Sequence, residues 1–203
     1  LYLAAGRLAD AEQRLQELGS AWTREGRRGA ETNEYVLLSA RLASAQGRHY
    51  EAVSLTQQLA HQTKPKAEAL KVLADALAAT GQTGRGRTVL QRYLELAPDD
   101  ENALLELGRL LRYHDWNRVL VYSDAAVKRR PTLAARLLSI EARVMLAAGR
   151  SNEGIALNAL RGELNQLREQ FPQSVSVRSL LAALAFQQQR PDEAWAELEL
   201  AVR

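Results

Sequence analysis

Apolar side chains in this chain recur every three to four residues, which is the spacing of a helix that buries one face. The spacing is clearest in the stretches 70–77 and 104–111, where leucine and alanine fall on one side of each predicted helix. Alanine and leucine dominate the apolar residues, aromatic residues make up 5%, and five prolines are present. This composition favours helices over strands. We therefore predict an all-α chain.

Small residues return along the chain at an interval of 34 residues. One series, in the first helix of each predicted unit, is Ala40, Ala74, Gly108 and Ala142. A second series, twelve residues later, is Ala52, Gly86, Leu120 and Gly154, followed after a longer interval by Ala194. Two series indicate two helices per unit, and small residues at both places predict a hairpin whose helices approach closely. Leu120 breaks the pattern, so Val119 is the candidate for the inner position there.

Glycines and prolines mark the joins between the predicted helices. The predicted helix stops are Gly6, Gly47, Gly81 and Gly149, and the prolines between units are Pro65, Pro98 and Pro131. Glycine suits a helix end because it adopts a left-handed backbone without a side-chain clash. In the fourth unit His114 or Asp115 takes the place of the glycine, and in the last unit Gln189 does.

These residues resemble the tetratricopeptide repeat family, whose unit is two antiparallel helices in 34 residues with small residues at the interhelical contacts. The resemblance implies a right-handed superhelical solenoid of helix hairpins, with about five to six repeats in a single domain. The predicted units are 1–29, 30–64, 65–98, 99–131, 132–172 and 173–203. Both ends resemble interrupted helices, so we expect a part of a longer array.

Two stretches depart from the regular interval. Ala142 and Ala182 are 40 residues apart, and the extra residues within 152–170 predict one long helix. The stretch 19–33, which contains Gly26, Arg27, Arg28 and Gly29, predicts a longer loop.

The resemblance also implies a candidate binding surface. In the family, the first helix of each unit lines a concave wall, and the residue after its small residue points inward. That rule selects Arg41, Asp75, Arg109 and Arg143. One turn away, the same wall is expected to present Lys71, Asn102, Arg112, Tyr113, Arg136 and Ser139.

Two interpretations of this arginine-rich wall stay open. The arginines at 109, 112, 136 and 143 suit an anionic partner, because a guanidinium offers paired donors to a carboxylate and stays charged. Alternatively, they pair internally. Glu106 lies three residues before Arg109, and Asp75 lies one repeat from both Arg41 and Arg109.

Other chemistry is poorly represented. Cysteine is absent, and the three histidines show no helical metal-site spacing, so we predict no metal or cofactor and no catalytic residue. The glycine-rich stretch 81–86 follows no predicted strand, which disfavours phosphate binding. The net charge of +3 is spread among nearly as many acids, which disfavours nucleic acid. No apolar run approaches the roughly 20 residues of a membrane span, so we predict no membrane insertion.

The family resemblance implies a noncatalytic scaffold that binds a partner protein or peptide in the groove. A clamp known in the family for the acidic C-terminal peptides of chaperones needs asparagine, which the inner series lacks, so we do not predict that activity. Long bacterial arrays of this kind suggest an envelope, secretion or exopolysaccharide-export assembly, with a lean to the periplasm. The alternatives are a regulatory or substrate-recruiting segment of a larger enzyme, and a binder of an anionic polymer such as an acidic polysaccharide.

Overall fold

A computed structural model describes residues 6–24, 32–148 and 153–202. Within these ranges the backbone forms helices and no strand, which confirms the predicted all-α class. The helices are α1 (Leu8–Arg24), α2 (Asn33–Ala45), α3 (His49–Ala60), α4 (Ala67–Ala79), α5 (Thr83–Leu96), α6 (Glu101–Leu111), α7 (Trp116–Arg129), α8 (Leu133–Ala147), α9 (Glu153–Gln170), α10 (Val175–Gln187) and α11 (Pro191–Val202). The predicted helix end at 1–5, the loop residues 26–29 and the predicted stop at Gly149 lie outside the described residues.

The chain divides into two compact units, Leu1–Pro98 and Asp99–Arg203. Their boundary coincides with the predicted boundary between the third and fourth hairpins. In the first unit α1 packs against α2, and α2/α3 and α4/α5 form hairpins. In the second unit the hairpins are α6/α7, α8/α9 and α10/α11.

The small residues of the repeat are buried where helices meet. All four members of the first series are buried, and so are Ala52, Gly86 and Ala194 of the second. Val119 is fully buried and Leu120 is half-buried, which confirms that valine takes the inner position in α7. The hairpin pattern predicted from small residues is therefore present at these positions, except that Ala142 lies two residues beyond the position that corresponds to Ala40, Ala74 and Gly108.

The prediction for Gly154 is wrong. This glycine is exposed, and a Cβ placed on it would meet nothing within 4 Å. The helix that carries it, α9, buries instead the leucines at 157, 160, 164 and 167 against α8 and α10. Large side chains hold α9 in place here, so no small residue is needed. Its 18 residues confirm the predicted long helix.

Helix ends follow the predicted chemistry with one correction. Gly47 and Gly81 have φ of +77° and +73°. Gln189 takes the same left-handed conformation with φ of +58°, as predicted. In the fourth unit Tyr113 does so, with φ of +67°, and not His114 or Asp115. Asp115 instead begins α7, since its carboxylate accepts the Arg118 backbone N–H at 3.1 Å.

The described part of the chain contains neither a candidate membrane-spanning helix nor a candidate metal site. None of its helices is long and apolar enough to cross a membrane. Nor does it contain a cluster of histidine and carboxylate side chains that could hold a metal ion.

Candidate functional site

In the first unit the predicted wall residues lie on the neighbouring helices α2 and α4. Arg41 Nη1 lies 2.6 Å from Glu68 Oε1, an ion pair that joins the two helices. Lys71 Nζ lies 2.8 Å from Asp75 Oδ1 within α4. Arg41 therefore pairs with Glu68 and not with Asp75. Because at least one partner of each pair is exposed, each pair contributes only about 0.2–1 kcal/mol.

In the second unit the first helices α6, α8 and α10 lie side by side and enclose a groove of about 580 Å³. The two sides of this groove differ in chemistry. Its cationic edge comes from α6. Its floor comes from α8 and α10, where apolar side chains lie beside Glu141, Ser176 and Ser179. The side chains that give it this character are Arg109, Arg112, Leu137, Leu138, Glu141, Val175 and Leu180. We call this surface the α6–α8–α10 wall.

The two arginines of this wall differ in how strongly they are paired. Arg112 donates from Nε to Glu141 Oε2 at 3.0 Å, and the same carboxylate oxygen accepts from Nη2. Arg109 Nη1 is 3.7 Å from Glu106 Oε2, which is too long for a hydrogen bond, and its side chain is 52% exposed. Internal pairing therefore accounts for Arg112, whereas Arg109 is only loosely paired.

An exposed aromatic side chain stands at the end of α6. Tyr113 is 76% exposed and packs edge-on against Trp116, with ring centroids 5.6 Å apart. The Arg112 guanidinium carbon lies 5.9 Å from the centre of the Tyr113 ring. Asn102, at the other end of α6, is exposed, and its backbone N–H donates to the Asp100 carboxylate at 3.0 Å.

Three predicted wall residues of α8 lie elsewhere. Arg143 reaches Asp124 on α7 at 3.2 Å and Glu163 on α9 at 3.5 Å. Ser139 is only 3% exposed, and its hydroxyl donates to Asp124 at 2.5 Å. Arg136 donates to the side chain of Gln170, at the end of α9, at 3.4 Å. These residues face the second helices and do not line the α6–α8–α10 wall.

The position of the N-cap of α8 explains why these residues do not line the wall. The first helices begin after Thr32, Lys66, Asp100, Thr132 and Ser174. Counted from these caps, the ninth residue is Arg41, Asp75, Arg109, Glu141 and Ala183. Thr132 begins α8 two residues earlier than a constant 34-residue period requires. The inward position of α8 is therefore Glu141 and not Arg143.

Glu141 is a charged wall residue that the constant 34-residue interval does not select. Ala142 follows the regular 34-residue interval and is buried. Counted from the cap, however, the position that corresponds to the small residue of the other first helices is Ile140, which packs against the leucines of α9. The available signal was Thr132 itself. Its hydroxyl accepts the Ala135 backbone N–H at 3.3 Å, and Thr is a typical N-cap residue.

Comparisons with known proteins agree with this architecture. A family model for the tetratricopeptide repeat matches residues 67–110. The chain has a tetratricopeptide-repeat fold. A search of curated proteins finds no match.

Solved structures with this tetratricopeptide-repeat fold are similar over most of the chain. A tetratricopeptide repeat protein from Parabacteroides merdae has a TM-score of 0.70 at 19% identity, covering 98% of this chain and 73% of its own. MamA from Desulfovibrio magneticus RS-1 has a TM-score of 0.68 at 18% identity, with 85% and 94% covered. MamA of strain MSR-1 has a TM-score of 0.67 at 19% identity, with 84% and 94% covered. At these identities the likeness concerns the fold.

Proposed function

We propose that this chain is a noncatalytic protein-interaction scaffold that binds a segment of a partner protein on the α6–α8–α10 wall. The observation that carries the proposal is the combination of an open, partly apolar floor with one incompletely paired arginine at its edge. Grooves with apolar lining and a few placed polar groups are the usual form of a binding site.

The wall indicates the chemistry of the segment. Leu137, Val175 and Leu180 offer contacts to apolar side chains. Arg109 offers donors to a carboxylate, which is either an acidic side chain or a chain terminus. A segment with apolar residues beside a carboxylate fits both features. The pairs of Arg41 with Glu68 and of Lys71 with Asp75 form a separate polar surface on the first unit, which we propose as a weaker contact region.

The charge distribution favours a protein over an anionic polymer. The wall residues include Glu141 beside Arg112, and the first unit carries Glu68 and Asp75 beside its own cations. A polyanion bound on either unit would lie beside carboxylates, and like charges brought together oppose binding. A protein segment can place its single carboxylate at Arg109 alone.

The proposed setting is a bacterial envelope, secretion or export assembly. It is supported by the Ala, Leu, Arg and Gln richness of the chain. The alternative setting is a recruiting segment of a larger enzyme. Both settings use the same groove, and the identity of the captured partner separates them.

The test is affinity capture from the native lysate with the wild-type chain, Arg109→Glu and Arg136→Glu. Arg136 is the matched control, because it lies on α8 outside the wall and its hydrogen-bond partner, Gln170, is neutral. We expect one partner protein to be retained by the wild type and by Arg136→Glu and to be lost with Arg109→Glu. Equal capture by all three proteins would refute binding at this wall. Recovery of an acidic polysaccharide in place of a protein would refute the scaffold.

A further inference from the structure

The second unit contains a cleft between α9 and α11 that shares no lining residue with the α6–α8–α10 wall. Its volume is about 280 Å³. One side is formed by Arg161, Asn165 and Arg168, whose spacing of four and three residues places them on one face of α9. The floor is formed by Leu181 and Ala185 of α10. We call this cavity the α9–α11 cleft.

The opposite side of the cleft carries two glutamates of α11, and arginines outnumber them. Both oxygens of each carboxylate face a guanidinium group, at distances between 2.5 and 3.5 Å. The pairs are Glu193 with Arg161 and Arg190, and Glu197 with Arg168 and Arg178. Within the described residues, no further acidic side chain pairs with these four arginines. Four guanidinium groups therefore share two carboxylates, and the cluster carries an excess of positive charge.

The two arginines that line the cleft are bound to their glutamates through one nitrogen each. Arg161 donates to Glu193 from Nη2, and Arg168 donates to Glu197 from Nη1. Their other nitrogens form no hydrogen bond to a described residue, although a guanidinium carries five N–H donors. The side-chain amide of Asn165, which lies between the two arginines on α9, is likewise without a partner among the described residues. The α9 side of the cleft thus has donors for an anion.

The spacing of these donors indicates the shape of the anion. Arg161 and Arg168 are seven residues apart, so their Cα atoms are separated by about 10 Å along the axis of α9. An anion with a charged group at each end can meet both guanidinium groups, whereas a compact anion requires both side chains to bend toward one point. Between the two ends, Leu181 and Ala185 offer an apolar surface for methylene groups. The volume of the cleft suits a small molecule and not a folded segment of a protein.

We propose that the α9–α11 cleft binds a short aliphatic dicarboxylate. One carboxylate accepts hydrogen bonds from Arg161 and the other from Arg168, and the Asn165 amide donates to one of them. Hydrogen bonds between guanidinium and carboxylate groups are among the strongest in proteins. Because Glu193 and Glu197 lie beside the same arginines, the ligand shares these cations with them, and the excess of arginine favours its binding. This site is independent of the partner segment proposed for the α6–α8–α10 wall.

The test is isothermal titration calorimetry of the whole chain with dicarboxylates of increasing length, which are succinate, glutarate and adipate. Sodium chloride keeps the ionic strength constant. Hexanoate serves as the monocarboxylate and inorganic phosphate as the compact anion. We expect saturable binding of at least one dicarboxylate. Hexanoate is expected to bind about tenfold or more weakly, because it lacks one of the two charged contacts, and phosphate is also expected to bind more weakly.

A charge-neutral substitution in the cleft has a matched control outside it. Arg161→Gln is expected to weaken the dicarboxylate about tenfold or more. Arg118→Gln removes the same charge from α7, where this exposed arginine donates to the Tyr122 hydroxyl, and it is expected to bind as the wild type does. Comparison of the two separates the cleft from a general effect of net charge.

Two further variants distinguish a ligand site from a purely structural ion-pair cluster. Glu193→Gln removes a carboxylate that shares the arginines, so it is expected to tighten the dicarboxylate about threefold or more. Ala196 lines the α11 side of the cleft and is exposed. Ala196→Leu fills the cleft without a change in charge and is expected to abolish binding. Circular dichroism checks that each variant keeps the fold.

Several results would overturn the proposal. Absence of saturable dicarboxylate binding, equal binding of hexanoate, or tighter binding of phosphate than of every dicarboxylate would each do so. Equal weakening by Arg161→Gln and Arg118→Gln would show that only the net charge of the protein matters. Weaker binding by Glu193→Gln would contradict the sharing of the arginines, and retained binding by Ala196→Leu would place the ligand outside the cleft.

Discussion

Three glycines around the start of α5 experience different environments, so the same substitution to alanine is expected to change stability in different directions. Gly86 lies within α5, where a Cβ would lie 3.5 Å from Leu77 Cβ and 3.6 Å from the Ala74 carbonyl oxygen. These are ordinary van der Waals distances, so the alanine methyl fits without displacement. Gly84 faces open space, with nothing within 4 Å of its Cβ. Gly81 lies in the turn with φ of +73°.

The expected magnitudes follow from these environments. Gly86→Ala removes the entropy cost of glycine in a helix, about 0.5–1 kcal/mol, and buries a methyl group worth up to ~0.8 kcal/mol. It is therefore expected to stabilise by roughly 1–2 kcal/mol. Gly84→Ala gains at most the first contribution, because its methyl stays in solvent. Gly81→Ala forces a side chain into the left-handed region, at a cost of about 1–2 kcal/mol, which a smaller gain from the unfolded state offsets in part.

The assay is urea unfolding of the whole chain, followed by circular dichroism and by hydrogen exchange of the α4 and α5 amides. All three glycines belong to the compact unit Leu1–Pro98, so exchange in this unit is expected to change most. The expected order of stability is Gly86→Ala, Gly84→Ala, wild type, Gly81→Ala. A loss of 1 kcal/mol or more for Gly86→Ala would refute the reasoning, because it would mean that α4 and α5 approach too closely for a methyl group. Equal gains at 84 and 86 would show that position 86 is not buried.

Three further substitutions test the packing, a cap and an ion-pair cluster. Leu164→Ala is expected to cost about 2–5 kcal/mol in urea unfolding, since Leu164 is fully buried in the α8–α9–α10 cluster; a loss below 1 kcal/mol would contradict that burial. Asp100→Ala is expected to cost about 1 kcal/mol and to speed hydrogen exchange in the first turn of α6, because the carboxylate accepts two backbone N–H groups there. Glu197→Gln is expected to cost about 1–3 kcal/mol, more at low salt than at high salt, because this half-buried carboxylate accepts from Arg168 and Arg178; an effect independent of salt would contradict the ionic origin.

The helix hairpins and most of their ends were predictable because they depend on local chemistry. Ala52 and Ala194 are small where two helices touch, and Gly47 and Gly81 have the positive φ that glycine accepts without strain. Each of these requirements involves residues that are close together in the chain, so each can be predicted directly from the sequence. The conformation of Tyr113 could not be predicted in this way, because a residue for which positive φ is costly occupies a place where other turns have glycine.

The residues that line the groove could not be predicted from the 34-residue interval alone. A constant interval places Arg143 on the wall, but a shift of two residues at Thr132 turns that arginine toward α7 and α9 and brings Glu141 inward. Because each residue advances about 100° around a helix, an error of two residues exchanges one face for the other.

The amino-acid sequence was sufficient to establish an array of paired helices, because few other folds bury small and apolar residues at this helical spacing. It could not establish which arginines are fully paired within the protein. Arg112 and Glu141 belong to different helices and meet because α6 and α8 pack side by side, whereas Arg109 is left with a longer contact to its own helix. The charge available to a ligand is a property of that packing, since a cation whose hydrogen bonds are already made offers less to a second carboxylate.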